Sequence, residues 1–119
     1  MSLQDEINKA IAAHGQWKVR LKTAIDSGSS EFTVERVRPD NNCDFGKWLH
    51  GLPAEQKGAM HWKTVQQLHA DFHKAAAGVL EQALKGDKNG ASAGMSGPFA
   101  AASSKLTSAM MAWKREAGG

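Results

Sequence analysis

The chain has 119 residues, the size of one domain. Lys and Arg number 15 against 12 Asp and Glu, a net charge of +3 without a block of like charges, so a dedicated nucleic-acid surface is not expected. The single cysteine excludes a disulfide scaffold and fits a reducing compartment, and no apolar run approaches the ~18 residues of a membrane helix.

The first expected element is an amphipathic helix from about Ser2 to Ser27. Ser2 is its expected N-cap, Asp5 and Glu6 suit the first turn, and Leu3, Ile7, Ile11, Leu21 and Ile25 recur in steps of three and four. Ser27-Gly28-Ser29-Ser30 ends it. From Glu31 to Asn42 the pattern breaks. Pro39-Asp40-Asn41-Asn42 is a turn cluster, and the stretch is expected as an ordered loop with at most a short extended piece. Cys43 follows, then a short helix from Asp44 to His50 that stops at Gly51.

Pro53 suits a helix start, and a helical pattern runs on to about Lys85 with a kink expected near Gly58. Trp62, Val65, Leu68, Phe72, Ala76, Val79, Leu80 and Leu84 form its apolar face. Residues 87–97 are rich in Gly, Ser and Ala and are expected as a connection. A last helix opens at Ser96-Gly97-Pro98 and carries Phe99, Leu106, Met110 and Trp113; the tail Gly118-Gly119 should fray. The fold class expected for 1–119 is therefore all-α: a single four-helix-bundle-like domain with an ordered loop and a short extra helix carrying the cysteine. Four Trp and four Phe supply volume for one core, and the absence of Tyr and of β-branched runs argues against an all-β domain.

The chemistry-bearing residues are five histidines and the thiol. His14 lies on the apolar stripe of the first helix. His69 and His73 stand four apart, one turn from each other on one helix face, where two imidazoles can share a metal ion. Five histidines in this length yield such a pair by chance about 0.2 times, so the pair alone also suits two core-edge histidines satisfied by carbonyls or water. Three buried imidazoles are harder to satisfy without a shared cation. Cys43 stands at a helix start, where the helix dipole and free N–H groups favour thiolate, the form that binds metal and reacts as a nucleophile; the competing reading is a small buried hydrophobe. Asp44 and Asp71 could accept an imidazole N–H or simply be solvated. His50 and His61 read as surface histidines.

The segment Cys43-Asp44-Phe45-Gly46-Lys47-Trp48-Leu49 matches Cx[L/F]GxW[L/F]. With His14 before it and His69-x-x-x-His73 after it, the chain resembles the chemoreceptor zinc-binding domain family, CZB, over about His14 to His73. The resemblance implies a bacterial cytoplasmic zinc domain with a 3-His/1-Cys site formed by His14, Cys43, His69 and His73, often dimeric. Such domains sit at the end of chemoreceptors or beside diguanylate cyclases and report zinc or oxidants such as hypochlorous acid, with Cys43 the redox-sensitive position. The chain carries neither a signalling coiled coil nor a cyclase, so it is either a stand-alone member or part of a longer protein.

A closed four-ligand shell argues against catalysis, because catalytic zinc keeps an open position for water. The expected function is thus a non-enzymatic sensory module that binds Zn2+, forms a homodimer and acts on a signalling partner in cis or in trans, without nucleic-acid binding or membrane insertion. The rivals are a metal-dependent hydrolase with Cys43 as a labile ligand, for which no HExxH-type base is present, and a plain helical dimerisation domain. A haem or di-iron bundle lacks CxxCH or inward Glu-x-x-His patterns.

Overall fold

The computed structural model describes residues 3–40 and 43–117, the side chain of Ala117 excepted. Ser2, Asn41, Asn42 and the Gly118-Gly119 tail, all singled out above, lie outside the described residues. The order is α1 (Leu3–Ser27), α2 (Val34–Val37), α3 (Asp44–His50), α4 (Ala54–Lys57), α5 (Met60–Leu84), α6 (Lys88–Gly94), a π turn (Met95–Phe99) and α7 (Ala100–Ala117). No strand occurs among the described residues, so the all-α bundle expected from the sequence is observed.

Helix α1 forms because its apolar residues share one face: Ile7, Ala10, His14, Trp17, Leu21, Ala24 and Ile25 are buried, mostly in steps of three and four. It ends where Gly28 adopts φ 72°, a left-handed conformation that lets its N–H return to Ala24 O at 2.8 Å. Helix α5 buries Val65, His69, Phe72, His73, Ala76, Ala77, Val79, Leu80 and Ala83 and ends in the same manner at Gly86, φ 82°. Lys88 Nζ donates to Asp26 O at 3.4 Å, so α1 and α5 finish at the same end of the bundle and run parallel. Helix α7 runs back against both: Lys114 meets Asn8 at 2.7 Å, and Glu116 meets His61 at 2.7 Å. A parallel pair needs a long crossover, and residues 28–59, carrying α2, α3 and α4, supply it.

Three local expectations change. The stretch after Glu31 holds a helical turn, α2, rather than an extended piece, because Thr33 caps it by accepting the Arg36 N–H at 3.3 Å. The expected helix from Pro53 to Lys85 is two helices. Ala59 is extended (φ −72°, ψ 144°) and interrupts the chain between α4 and α5, where a kink was expected. Residues 87–97, expected as a connection before the last helix, are largely helical. Asp87 caps α6 by accepting Gly90 N–H at 3.0 Å, and Ala91 and Phe99 are buried against the bundle. Pro98 lacks the N–H of a regular turn, and the chain widens there into the π turn without leaving the helical path.

The core joins Ile7, Leu21, Phe45, Leu49, Val65, Phe72, Leu80, Leu106, Met110 and others into one cluster. Burying a Leu or Phe side chain contributes roughly 1.5–3 kcal/mol. His14, His69 and His73 are the buried polar residues among those described. No helix among the described residues is long and apolar enough to cross a membrane.

Candidate metal centre

The parallel pairing of α1 and α5 sets His14 opposite His69 and His73. His14 Nε2 lies 3.1 Å from His69 Nε2, and His73 Nε2 lies 3.1 Å from the same atom. Cys43 closes the group from the crossover: its Sγ is 3.3 Å from His69 Nε2 and 3.5 Å from His73 Nε2. All four donor atoms fall within 4.8 Å of one another. A tetrahedral zinc with Zn–N of about 2.05 Å and Zn–S of about 2.3 Å has N···N edges of about 3.3 Å and N···S edges of about 3.6 Å. The four separations that involve His69 or join Cys43 to His73, 3.1–3.5 Å, are close to those edges, and the other two lie within 4.8 Å.

Each arm is held by its own element. Cys43 is the N-cap of α3: its backbone is extended, its Sγ accepts the Gly46 N–H at 3.3 Å, and its carbonyl accepts the Lys47 N–H at 3.0 Å. Gly46 is buried at this turn. His14 donates from Nδ1 to Ala10 O at 2.7 Å, and His73 donates from Nδ1 to Val37 O at 2.9 Å. Those bonds fix the tautomers, leaving both Nε2 atoms as bare lone pairs aimed at the shared point. His69 differs, since its buried Nδ1 has no hydrogen-bond partner among the described residues. Edge-on rings surround the cluster: Phe72 lies 4.9 Å from His14, and Phe45 lies 5.1 Å from His69.

Electrostatics follow from burial. Desolvation pushes His14 from its ordinary 6.5 to about 4, against the opposing pull of the Ala10 carbonyl and with the help of His73. His69 is lowered to about 2, by burial first and then by His73, His14 and His50. His73 is lowered by burial, partly countered by the Val37 carbonyl and Asp40. Burial raises the Cys43 thiol; the Gly46 and Phe45 N–H groups oppose this, and the Asp40 and Asp44 carboxylates add to it. Burial therefore favours the neutral form of all three imidazoles, the form that can bind a metal. Neutral rings and a sulfur at these distances set lone pair against lone pair, and protons on His69 Nε2 and the thiol relieve only part of the opposition. A divalent cation held by His14, Cys43, His69 and His73 would accept all four lone pairs, so this donor set fits zinc.

The remaining sequence-picked residues fall elsewhere. Asp44 is exposed, and Asp71 accepts the Gln67 amide at 3.1 Å; neither hydrogen-bonds a cluster imidazole. Asp71 lies two residues from both His69 and His73, which turns it off their face of α5. The carboxylate near the cluster is Asp40, whose Oδ2 is 3.8 Å from His69 Nδ1. His50 and His61 are half-buried and paired, with Asp40 at 3.1 Å and Glu116 at 2.7 Å. The sequence offered no sign of the Ala10 and Val37 carbonyls, because any residue type supplies one. Asp40 read simply as a turn residue.

A family model, the chemoreceptor zinc-binding domain, matches residues 14–80, more than half the chain. No curated protein and no solved structure matches. The match begins on His14 and spans Cys43, His69 and His73, the residues that the fold gathers. Zn2+ is the cofactor on which that family and this donor set agree. The chain belongs to the chemoreceptor zinc-binding domain family, and it is a zinc-binding helical module.

Proposed function

We propose that His14, Cys43, His69 and His73 together hold one Zn2+, and that the module reports zinc availability or oxidation of Cys43 to a signalling partner of the chemoreceptor or diguanylate cyclase kind. The observation that carries this reading is the convergence of three buried imidazole nitrogens and the chain's one thiol within 4.8 Å. Four protein donors fill a tetrahedral shell and leave no position for a reacting water, which favours a sensor over a hydrolase. Bound zinc supplies the charge that keeps Cys43 as thiolate and cross-links α1, α3 and α5.

The sulfur is the exchangeable arm. Cys43 is half-buried, whereas His69 is 0% exposed. A groove of about 880 Å³ has His14, Cys43 and His73 in its wall, with Lys9, Arg20 and Arg36 among its other lining residues. An oxidant reaching the sulfur there would transfer oxygen to it: thiolate plus hypochlorous acid gives sulfenic acid and chloride. Sulfenic acid is a poor ligand, so α3 would lose the tie that runs through the sulfur. A homodimer in a cytoplasmic, bacterial setting, acting in cis or in trans, completes the proposal on the strength of the family.

Zinc quantification on protein purified without added metal, repeated after one equivalent of oxidant, tests it. One zinc per chain, lost on oxidation in step with the free thiol, is the expected result. Zinc content unchanged in both His69→Ala and Cys43→Ala would end the idea.

A further inference from the structure

Two of the three cluster imidazoles have a backbone carbonyl on Nδ1, at 2.7 Å for His14 and 2.9 Å for His73. The third, His69, is the central one: its Nε2 touches His14, His73 and Cys43, and its Nδ1 is the one buried side-chain polar atom without a partner among the described residues. The carboxylate of Asp40 stands 3.8 Å from that nitrogen. It is not loose there. Its Oδ2 accepts from His50 Nε2 at 3.1 Å and from the Gln66 amide at 3.4 Å, so α3 and α5 each contribute one donor that aims it. The same residue's carbonyl faces the Cys43 sulfur at 3.7 Å.

We infer that Asp40 is the positioning residue of the metal centre, with His50 and Gln66 holding its carboxylate against the Nδ1 face of His69. A ligating imidazole binds through one nitrogen and needs an acceptor on the other, which sets tautomer and ring orientation and raises the basicity of the ligating atom. Helix α1 and the α2 turn provide that acceptor for His14 and His73 from their own backbones. His69 Nδ1 meets no such carbonyl within hydrogen-bond distance among the described residues, and the carboxylate that faces it comes from the crossover. Asp40 fits because it is anionic, stands on the Nδ1 side and is braced by two donors. The arrangement also links the two kinds of arm: His50 belongs to the helix that Cys43 caps, and Gln66 lies one turn before His69. Asp40 thus fastens α3 to α5 through contacts that do not involve the sulfur.

This inference rests on the zinc reading above, and the test separates the two. Zinc affinity is measured by chelator competition on the full chain, for wild type and for Asp40→Asn, Asp40→Glu and Gln66→Ala. Long-range 1H–15N spectra of zinc-loaded wild type and Asp40→Asn follow the His69 ring. Asp40→Asn is expected to weaken zinc roughly 10–100-fold, with Asp40→Glu recovering much of the loss and Gln66→Ala falling between. The His69 Nδ1 proton is expected downfield in wild type and shifted upfield in Asp40→Asn, while the His14 and His73 signals stay in place. A change in packing alone would move neither that proton selectively nor respond to Glu. Wild type that binds zinc while Asp40→Asn retains both affinity and the His69 signal would overturn the role of Asp40 and leave the metal site standing. Wild type without zinc would overturn both. Should Asp40→Asn fail to fold, the wild-type spectrum and Gln66→Ala decide: no hydrogen-bonded Nδ1 proton on His69 and unaltered affinity in Gln66→Ala would refute the inference.

Discussion

The nitrogen side of the cluster and its sulfur side are built from different kinds of structure. His14, His69 and His73 stand in the middle of two 25-residue helices, at most 6% exposed, with packed rings around them. Cys43 stands at the start of a seven-residue helix in a crossover, half-buried, and its sulfur also faces the Gly46 N–H and the Asp40 carbonyl. Long helices in a shared core open only with the whole fold, whereas short crossover elements open at lower cost. The contrast teaches that one chain can set three nitrogens in a packed core and a more accessible sulfur in a short crossover element, the arrangement on which the proposed sensing at Cys43 rests.

The largest effect is expected on the rigid side. His69→Ala removes the central nitrogen and opens a hole in the core. Zinc content should fall to background, and thermal unfolding should lose much of the roughly 10 kcal/mol of apparent free energy that a structural zinc can supply. If zinc and melting temperature stay at wild-type values, the nitrogen base is not what holds the centre. Cys43→Ser probes the other side. The hydroxyl can still cap α3 by accepting the Gly46 N–H, so far-UV circular dichroism should be unchanged, while zinc affinity weakens and zinc release no longer responds to oxidant. Loss of helical signal there would show the sulfur to be as structural as the imidazoles.

Acid acts on the nitrogen side without mutation. In the unfolded chain these imidazoles take protons near pH 6.5; folded His14 does so only near 4, and His69 and His73 are lowered as well. Below pH 6.5 the unfolded state therefore binds protons that the folded state refuses. The stability of zinc-stripped protein should be full above about 6.5 and fall progressively toward pH 4. Urea midpoints across that range check the sign, and a flat profile would mean that the imidazoles are not held neutral by burial. The smallest effect is expected at the edge of the site. Thr33→Ala removes the cap of α2, the turn whose Val37 carbonyl anchors His73, and should cost about 0.5–2 kcal/mol with zinc still bound, as read by chemical denaturation.

The parts of this molecule that were legible from sequence are those where periodicity or a rare residue carries the information. The α1 stripe, the α5 stripe and the Cys43-to-Gly51 helix correspond to observed elements because burial spacing and a stop residue are written in side chains. The four clustered residues were visible for the same reason: imidazoles on apolar stripes and one thiol at a helix start are unusual placements. What was not legible depends on tertiary context. Gly-rich residues 87–97 have poor helix propensity, and packing of Ala91 and Phe99 against the bundle overrides it. The acceptors for His14 and His73 are main-chain carbonyls, which leave no trace in residue type. Asp40 carried a signal, a lone acid three residues before the cysteine, but turn chemistry explained it equally well until the fold set it beside His69.

X-ray absorption at the zinc edge, on protein carrying its own zinc, addresses the shared centre most directly. The expected result is one zinc per chain with three nitrogen neighbours near 2.0–2.1 Å and one sulfur near 2.3 Å. A first shell of oxygen and nitrogen alone, in unoxidised protein with Cys43 intact, would contradict it.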